Sequence, residues 1–309
     1  MNVIYMGTPE FAVPTLVSIV NEGYNVPLVI TQKDKPKGRG KKVQYPPVKE
    51  KALEFNIEVF QPDSVNDKLS IDKIRACQPD FIVVAAYGQI LKKELLDIPK
   101  YGCLNVHASL LPKYRGAAPI NWAIINGEKE TGISIMKMEV GLDTGDTLIT
   151  ESIPINESDD FISIHDSLSK LGGELIIQAM KLIVEQKAIF TPQDHNNSNY
   201  APMIFKDTGR IDWSKSGKDI INLIRGLKPW PNAYTTYKED VVKIHKAKFV
   251  PGKNKGKAGE ILKVSKEGIC VGVIDGYILI EELQFPGKKI LTVSQYLAGN
   301  EIDTGIILY

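Results

Sequence analysis

The run DFIVVAA, Asp80 to Ala86, is apolar from its second residue onward. A strand with water on one face alternates polar and apolar residues. An unbroken apolar run of this length instead fits a strand covered on both faces, as in a parallel sheet flanked by helices. Upstream, Val3 to Met6 and Val26 to Ile30 are two more such runs, and a shorter one centres on Val59. Between them, about Glu10 to Asn21 and Asn66 to Ala76 have helical spacing. Downstream, Cys103 to Val106 reads as a further strand and a helix starts near Pro119. Strands separated by helix-length segments predict an α/β fold with right-handed crossovers. Gly132 to Met138 and Thr147 to Ile153 read as antiparallel additions near the sheet edge. Phe161 to Glu185 reads as a long helix in which Gly172-Gly173 is a weak point.

The pattern changes after residue 190. TPQDHNNSNY (Thr191 to Tyr200) is polar and rich in Asn, a linker-like composition. Beyond it, Gly217 to Leu227 predicts one helix, ended by Lys228-Pro229. Five β-prone runs follow: Ala233 to Tyr237, Val241 to Phe249, Glu260 to Val264, Ile269 to Ile274 and Tyr277 to Glu282. Short strands at this spacing predict a small β-barrel or sandwich. The expected division is therefore an α/β domain over 1–190, a linker over 191–207 and a β-rich domain over 208–309. The 309 residues, 43% hydrophobic and 24% charged, suffice for two such cores.

The net charge of +1 argues at first against a polyanionic partner. It conceals an asymmetry: residues 208–309 hold 16 Lys/Arg against 11 Asp/Glu, while residues 1–207 hold 22 against 26. In the second domain Lys243, Lys246, Lys248, Lys253, Lys255 and Lys257 follow one another with no acidic residue between them. The first domain has its own basic block, KDKPKGRGKK (Lys33 to Lys42), in which Gly38 and Gly40 make an adaptable loop and Arg39 offers a bidentate fork. Each run alone reads equally as a solvated face. Two together favour a nucleic-acid partner held through its phosphates, with affinity that depends on salt. Cys77, Cys103 and Cys270 lack ligand spacing, so neither a disulfide framework nor a zinc ribbon is expected. No segment reaches the roughly 18 apolar residues of a membrane-crossing helix. The opening MNVIYMGTPEF reads as a first strand rather than a leader, and a cytoplasmic location is expected.

Of four histidines, His107 stands apart, because it follows Cys103 to Val106 at the carboxyl end of a central strand, where open α/β sheets bind ligands. Strand alternation turns Asn105 and His107 to the same side. A second polar loop, GLDTGD (Gly141 to Asp146), lies between the two later strands. Asn, His and Asp on one cleft suit acyl-type transfer. Imidazole accepts a proton, a carboxylate fixes its tautomer, and an amide donates to a developing oxyanion. The bland alternatives are a structural strand-end histidine and a tight turn built on Asx hydrogen bonds. Ser109 lacks a G-x-S-x-G setting and Cys103 sits inside an apolar run, so direct transfer is expected over a covalent enzyme intermediate. His165, His195 and His245 have no partner at metal-ligand spacing, and no metal is expected. Gly7-Thr8-Pro9 matches neither nucleotide-binding glycine pattern and reads as a tight strand-to-helix turn.

Asn105 to Ile120 (NVHASLLPKYRGAAPI) together with GLDTGD resembles the folate-dependent formyltransferase family. MGTPEFAVP (Met6 to Pro14), KPKGRGKK (Lys35 to Lys42), RIDW (Arg210 to Trp213) and LKPWPNAYT (Leu227 to Thr235) resemble its tRNA-acting branch. The resemblance implies a Rossmann-like formyltransferase domain followed by an OB-like β-barrel. It implies transfer of the formyl group of 10-formyltetrahydrofolate to the α-amino group of methionine esterified to initiator tRNA, in translation initiation. By the same resemblance Asn105, His107 and Asp143 match the family's catalytic trio, and Asp146 shapes the loop. Ser109, Leu110, Leu111 and Pro112 match a segment lining the folate cleft, with Ala86 to Ile90 and residues 138–143 against the pterin. Arg39, Lys41 and Lys42 match the loop that enters the tRNA acceptor end, and Lys246, Lys248 and Lys253 are expected on backbone phosphates farther away. A monomer is expected. Relatives that formylate an amino sugar nucleotide or glycinamide ribonucleotide, a formate-releasing hydrolase, and a catalytically inert nucleic-acid binder are the competing readings.

Overall fold

The computed structural model describes residues 1–37, 42–253 and 256–309. They form two compact units, one of Met1–Pro119, Glu130–Pro154 and His165–Ala201, the other of Ile120–Lys129, Ile155–Ile164 and Pro202–Tyr309. The first is built in chain order from β1 (Asn2–Gly7), α1 (Val13–Asn21), β2 (Asn25–Ile30), the hairpin strands β3 (Lys35–Lys37) and β4 (Lys42–Gln44), α2 (Pro47–Glu54), β5 (Val59–Phe60), α3 (Lys68–Ala76) and β6 (Phe81–Ala85). It continues through α4 (Lys93–Leu96), β7 (Cys103–His107), β8 (Arg115–Gly116), α5 (Pro119–Ile125), β9 (Glu130–Lys137), β10 (Thr147–Pro154), α6 (Phe161–Val184) and β11 (Tyr200–Ala201), although α5 beyond Pro119 and the first turn of α6 belong to the second unit.

Its sheet runs β10-β9-β7-β6-β1-β2-β5. The strands from β7 to β5 are parallel, and β9 and β10 are antiparallel additions at one edge. Every residue of β6 and β7 is buried, which is why β6 has no polar alternation, while β7 alternates only where Asn105 and His107 turn to one side. The Asp67 side chain caps α3 by accepting from the Ser70 amide at 2.7 Å. The expected weak point at Gly172-Gly173 is corrected, since α6 passes through it unbroken. The glycines are packing residues: a Cβ would meet Val106 at 2.6 Å from Gly172 and the Ser18 hydroxyl at 2.7 Å from Gly173. Close approach to β7 and α1 offsets the roughly 1 kcal/mol of helix propensity that a glycine loses.

The second unit comprises α7 (Gly217–Gly226), β12 (Ala233–Tyr237), β13 (Asp240–Pro251), β14 (Ile261–Ser265), β15 (Gly268–Val273), β16 (Gly276–Gln284), β17 (Leu291–Thr292) and α8 (Val293–Tyr296). Its antiparallel sheet is ordered β12-β13-β16-β15-β14. The chain end bridges the two outer strands. Thr236 N–H donates to the Tyr309 carbonyl at 2.7 Å beside β12, and Ile261 N–H donates to the Ile306 carbonyl at 2.8 Å beside β14. A core of Ile211, Trp213, Ile244, Val271, Ile278 and their neighbours fills the interior. α7 is capped by Ser216, whose hydroxyl accepts from the Asp219 amide at 3.1 Å. No described helix is long and apolar enough to cross a membrane.

Candidate active site

β7 delivers two polar side chains at its carboxyl end, both buried: Asn105 is 8% exposed and His107 5%. Nε2 of His107 lies 3.0 Å from the Tyr114 carbonyl oxygen. A carbonyl only accepts, so Nε2 carries the proton and Nδ1 is the ring's open nitrogen. Nδ1 faces Asp143 Oδ1 at 3.8 Å. The same oxygen receives a long contact of 3.5 Å from the Asn105 amide nitrogen, while Asp143 Oδ2 accepts from the Gly116 amide at 2.8 Å. The three side chains from β7 and the β9–β10 loop therefore converge on one point, as the strand alternation predicts for the first two.

Asp143 holds its place on a loop of special backbone, with φ of +52°. Gly145 closes the same turn against β9, where a Cβ would stand 1.8 Å from the Lys137 carbonyl oxygen. Asp146 takes part through its main chain, its carbonyl accepting from Lys137 N–H at 2.9 Å. The polar stretch read as linker is built into this unit as far as Ala201. β11 pairs with β8, and the Asn199 side chain accepts from the Tyr114 amide. Gln193, 8% exposed, donates to the Asp143 and Gly145 carbonyls at 2.9 and 2.6 Å. Its own oxygen accepts from Arg115 Nε and Nη2 at 3.1 and 2.7 Å. Tyr114, Gly116, Gln193 and Asn199 are the site residues that sequence reasoning missed. The available signal was the density of side-chain hydrogen-bonding groups in 193–199, which composition alone reads as solvent-facing chain.

The other expected positions separate into groups. Ser109 is wholly buried, and its hydroxyl donates to the Lys113 carbonyl at 2.6 Å, so this side chain closes the loop and does not face a cleft. Leu110, Leu111 and Pro112 are half-buried, anchored where Leu111 N–H donates to the Ser134 hydroxyl at 3.1 Å. In the segments that follow β6 and β9, the two neighbours of β7, the apolar side chains of Ile90, Val140 and Leu142 are 71%, 65% and 50% exposed. Burial pushes the Cys103 thiol up to about 12, which removes it as a nucleophile. Among the described residues, no group of three or more His, Cys, Asp and Glu is placed to hold a metal ion.

Arg39, Lys41 and Lys255 lie outside the described residues, and of Lys42 only the backbone, in β4, is described. Lys253 is exposed. Lys246 and Lys248 on β13 are 55% and 64% exposed, but both reach Glu281 on β16, Lys246 at 3.2 Å. Burial opposes ionisation of Glu281, yet hydrogen bonds from Lys248 and Lys246 outweigh it and hold the carboxyl below the usual glutamate range. The uninterrupted lysine run is thus partly neutralised across the sheet, by an acid that its own strand does not contain.

Comparison with known proteins agrees with this architecture. A formyl transferase family model matches residues 1–180, and a formyl transferase C-terminal domain model matches residues 203–301. The chain is 50% identical over 308 residues to the methionyl-tRNA formyltransferase of Clostridioides difficile, with 100% of both chains covered. It is 52% identical over 309 residues to that of Clostridium novyi, again covering 100% of both. HypX from Aquifex aeolicus in complex with tetrahydrofolic acid has a similar structure, with a TM-score of 0.65 at 18% identity over 97% of this chain and 47% of that one. An N-formyltransferase from Helicobacter canadensis in complex with folinic acid and dTDP-3-aminofucose reaches 0.66 at 21% identity, over 90% of this chain and 97% of the other. At these identities the two structures speak to the fold alone.

Proposed function

The chain belongs to the formyl transferase family, and we propose that Asn105, His107 and Asp143 carry its transfer of the formyl group of 10-formyltetrahydrofolate to the α-amino group of methionine esterified to initiator tRNA. The observation that carries the assignment of the trio is the fixed orientation of His107: Nε2 is committed to the Tyr114 carbonyl, and Nδ1 is turned to Asp143 beside the Asn105 amide.

The folate supplies an activated formyl carbon. The chemistry of the nearby segments fits it: after the two strands that flank β7, Ile90, Val140 and Leu142 offer exposed apolar side chains to a flat ring. The attacking amine must be neutral, and the ester of an aminoacyl-tRNA lowers its basicity enough for a useful fraction to be so near pH 7. As it attacks, negative charge develops on the formyl oxygen. Asn105 has a second amide N–H beyond the one turned to Asp143, and this donor stabilises the oxygen. His107 Nδ1 takes the proton that the amine sheds, the resulting imidazolium is held between the Tyr114 carbonyl and the Asp143 carboxylate, and the proton returns to the departing nitrogen. No enzyme side chain is acylated.

Lys246, Lys248 and Lys253, with Arg39, Lys41 and Lys42, serve the tRNA backbone in this reading, and the enzyme acts as a cytoplasmic monomer. The support is chemical, in the excess of basic residues over 208–309 and the two-sided distribution of lysines along the chain. Formyl transfer to charged initiator tRNA, with uncharged tRNA and free methionine as controls, tests the function. Formylated methionyl ester is expected from the charged species only. Absence of product under conditions where the folate binds would exclude it.

A further inference from the structure

We propose that Gln193 is a positioning residue of the catalytic site, which sets the Asp143 carboxylate against His107 by tying the GLDTGD loop to the Arg115–Gly116 strand. This rests on the reading of Asp143 as catalytic. Each hydrogen-bonding group of the Gln193 amide has a partner in the buried site. Nε2 donates to the carbonyls of Asp143 and Gly145 at 2.9 and 2.6 Å, and Oε1 accepts from Arg115 Nε and Nη2 at 3.1 and 2.7 Å. One side chain therefore joins the loop that carries the carboxylate to the strand whose Gly116 N–H donates to that carboxylate at 2.8 Å.

The adjoining chain completes the arrangement. Asn199 receives the Tyr114 amide on its side chain, and its carbonyl accepts from Arg115 N–H at 3.1 Å. Tyr114 in turn supplies the carbonyl that fixes the His107 ring at 3.0 Å. Both halves of the His107–Asp143 pair are thus held through residues 114–116, and those residues are held by 193–199. The Asp143 loop needs such a tie. Its backbone sits at φ +52° with no regular ladder of its own, and a Cβ at Gly145 would collide with the Lys137 carbonyl at 1.8 Å, so the loop has one tight conformation to keep. Glutamate cannot replace glutamine here: it has no donors and would set carboxylate oxygens against two carbonyls.

The test compares Gln193→Met, similar in size but without hydrogen bonds, and Gln193→Glu with Asp143→Ala. Steady-state kinetics are measured with 10-formyltetrahydrofolate and charged initiator tRNA, and the His107 ring nitrogens are followed by NMR. A displacement of reacting groups by about 1 Å can cost on the order of a hundredfold in rate. Folded Gln193 variants are expected to lose ten- to a hundredfold in kcat by that measure, with KM for both substrates within about twofold of the parent. The His107 titration should move toward that of Asp143→Ala. A kcat unchanged in a folded variant, a loss residing in KM alone, or an unperturbed His107 titration overturns the proposal. If neither Gln193 variant folds, Arg115→Met removes both donors to the Gln193 oxygen from the half-exposed side and is read by the same criteria. Full activity in Asp143→Ala would instead remove the reading of the trio. An inactive Asp143→Ala beside a fully active Gln193→Met would remove only the role of Gln193.

Discussion

Two polar clusters in this chain are built on opposite plans. Around His107 and Asp143 the side chains are buried or nearly so, their positions fixed by backbone groups of residues 114–116 and by the amide of Gln193. Along β13, Lys246 and Lys248 stand more than half exposed, and the partner they share, Glu281, crosses over from β16. The first plan fixes geometry in a low-dielectric setting, where a displaced group is expensive. The second supplies exposed, screened charge whose effect varies with ionic strength. Catalysis and the proposed binding of a polyanion make different demands, and the two plans suit one each.

Substitution in the buried cluster should act on turnover and hardly on salt dependence. Asp143→Ala is expected to lower kcat by on the order of 10²–10⁴, the range for a positioned acid–base group, while folate binding measured by fluorescence persists. A kcat within about threefold of the parent would show that the carboxylate has no part in the reaction. Gly145→Ala should follow, at roughly a hundredfold, because the new Cβ must displace the loop from a carbonyl that lies 1.8 Å away. Near-normal kinetics for that variant would mean that the loop tolerates movement.

The exposed cluster predicts the converse. Lys246→Ala with Lys248→Ala should weaken tRNA binding at low salt and flatten its salt dependence by about one unit of log–log slope per lost phosphate contact, with kcat at saturating tRNA retained. Glu281→Gln should sharpen the contrast by releasing both lysines and tightening tRNA binding by a few-fold at low salt only. The Glu281 carboxyl is held below its ordinary range, so the unfolded chain binds more protons there. The stability it contributes is present above about pH 4.3, the ordinary glutamate value, and fades as pH falls through the lower folded value. The acid limb of melting temperature against pH should therefore be shallower in Glu281→Gln. The smallest effect expected is none at all: native-state thiol alkylation should leave formyl transfer intact, because Cys103 is buried with its thiol pushed up to about 12.

The sequence was legible where one element's own periodicity decides the outcome. DFIVVAA declared a doubly covered strand, and β7 put Asn105 and His107 on one side because alternation allows nothing else. What escaped were relations between distant residues. Gln193 lies 50 positions from the carbonyl of Asp143 that it binds, and its polar neighbourhood has the composition of solvent-facing chain. Glu281 is invisible from the β13 lysines because only strand pairing brings it near them. Gly172 and Gly173 weaken a helix considered alone, and their value as points of close approach appears only once α6 lies on Val106 and Ser18.

His107→Asn offers the most direct test of a buried trio acting without an acyl-enzyme. In a single turnover with saturating 10-formyltetrahydrofolate and charged initiator tRNA, the variant should form formylmethionyl ester at least about a hundredfold more slowly than the parent, the scale of lost acid–base catalysis, with both substrates still bound. No formylated protein should accumulate in either enzyme. A single-turnover rate within about twofold of the parent, or a formyl group trapped on the protein, would contradict the mechanism.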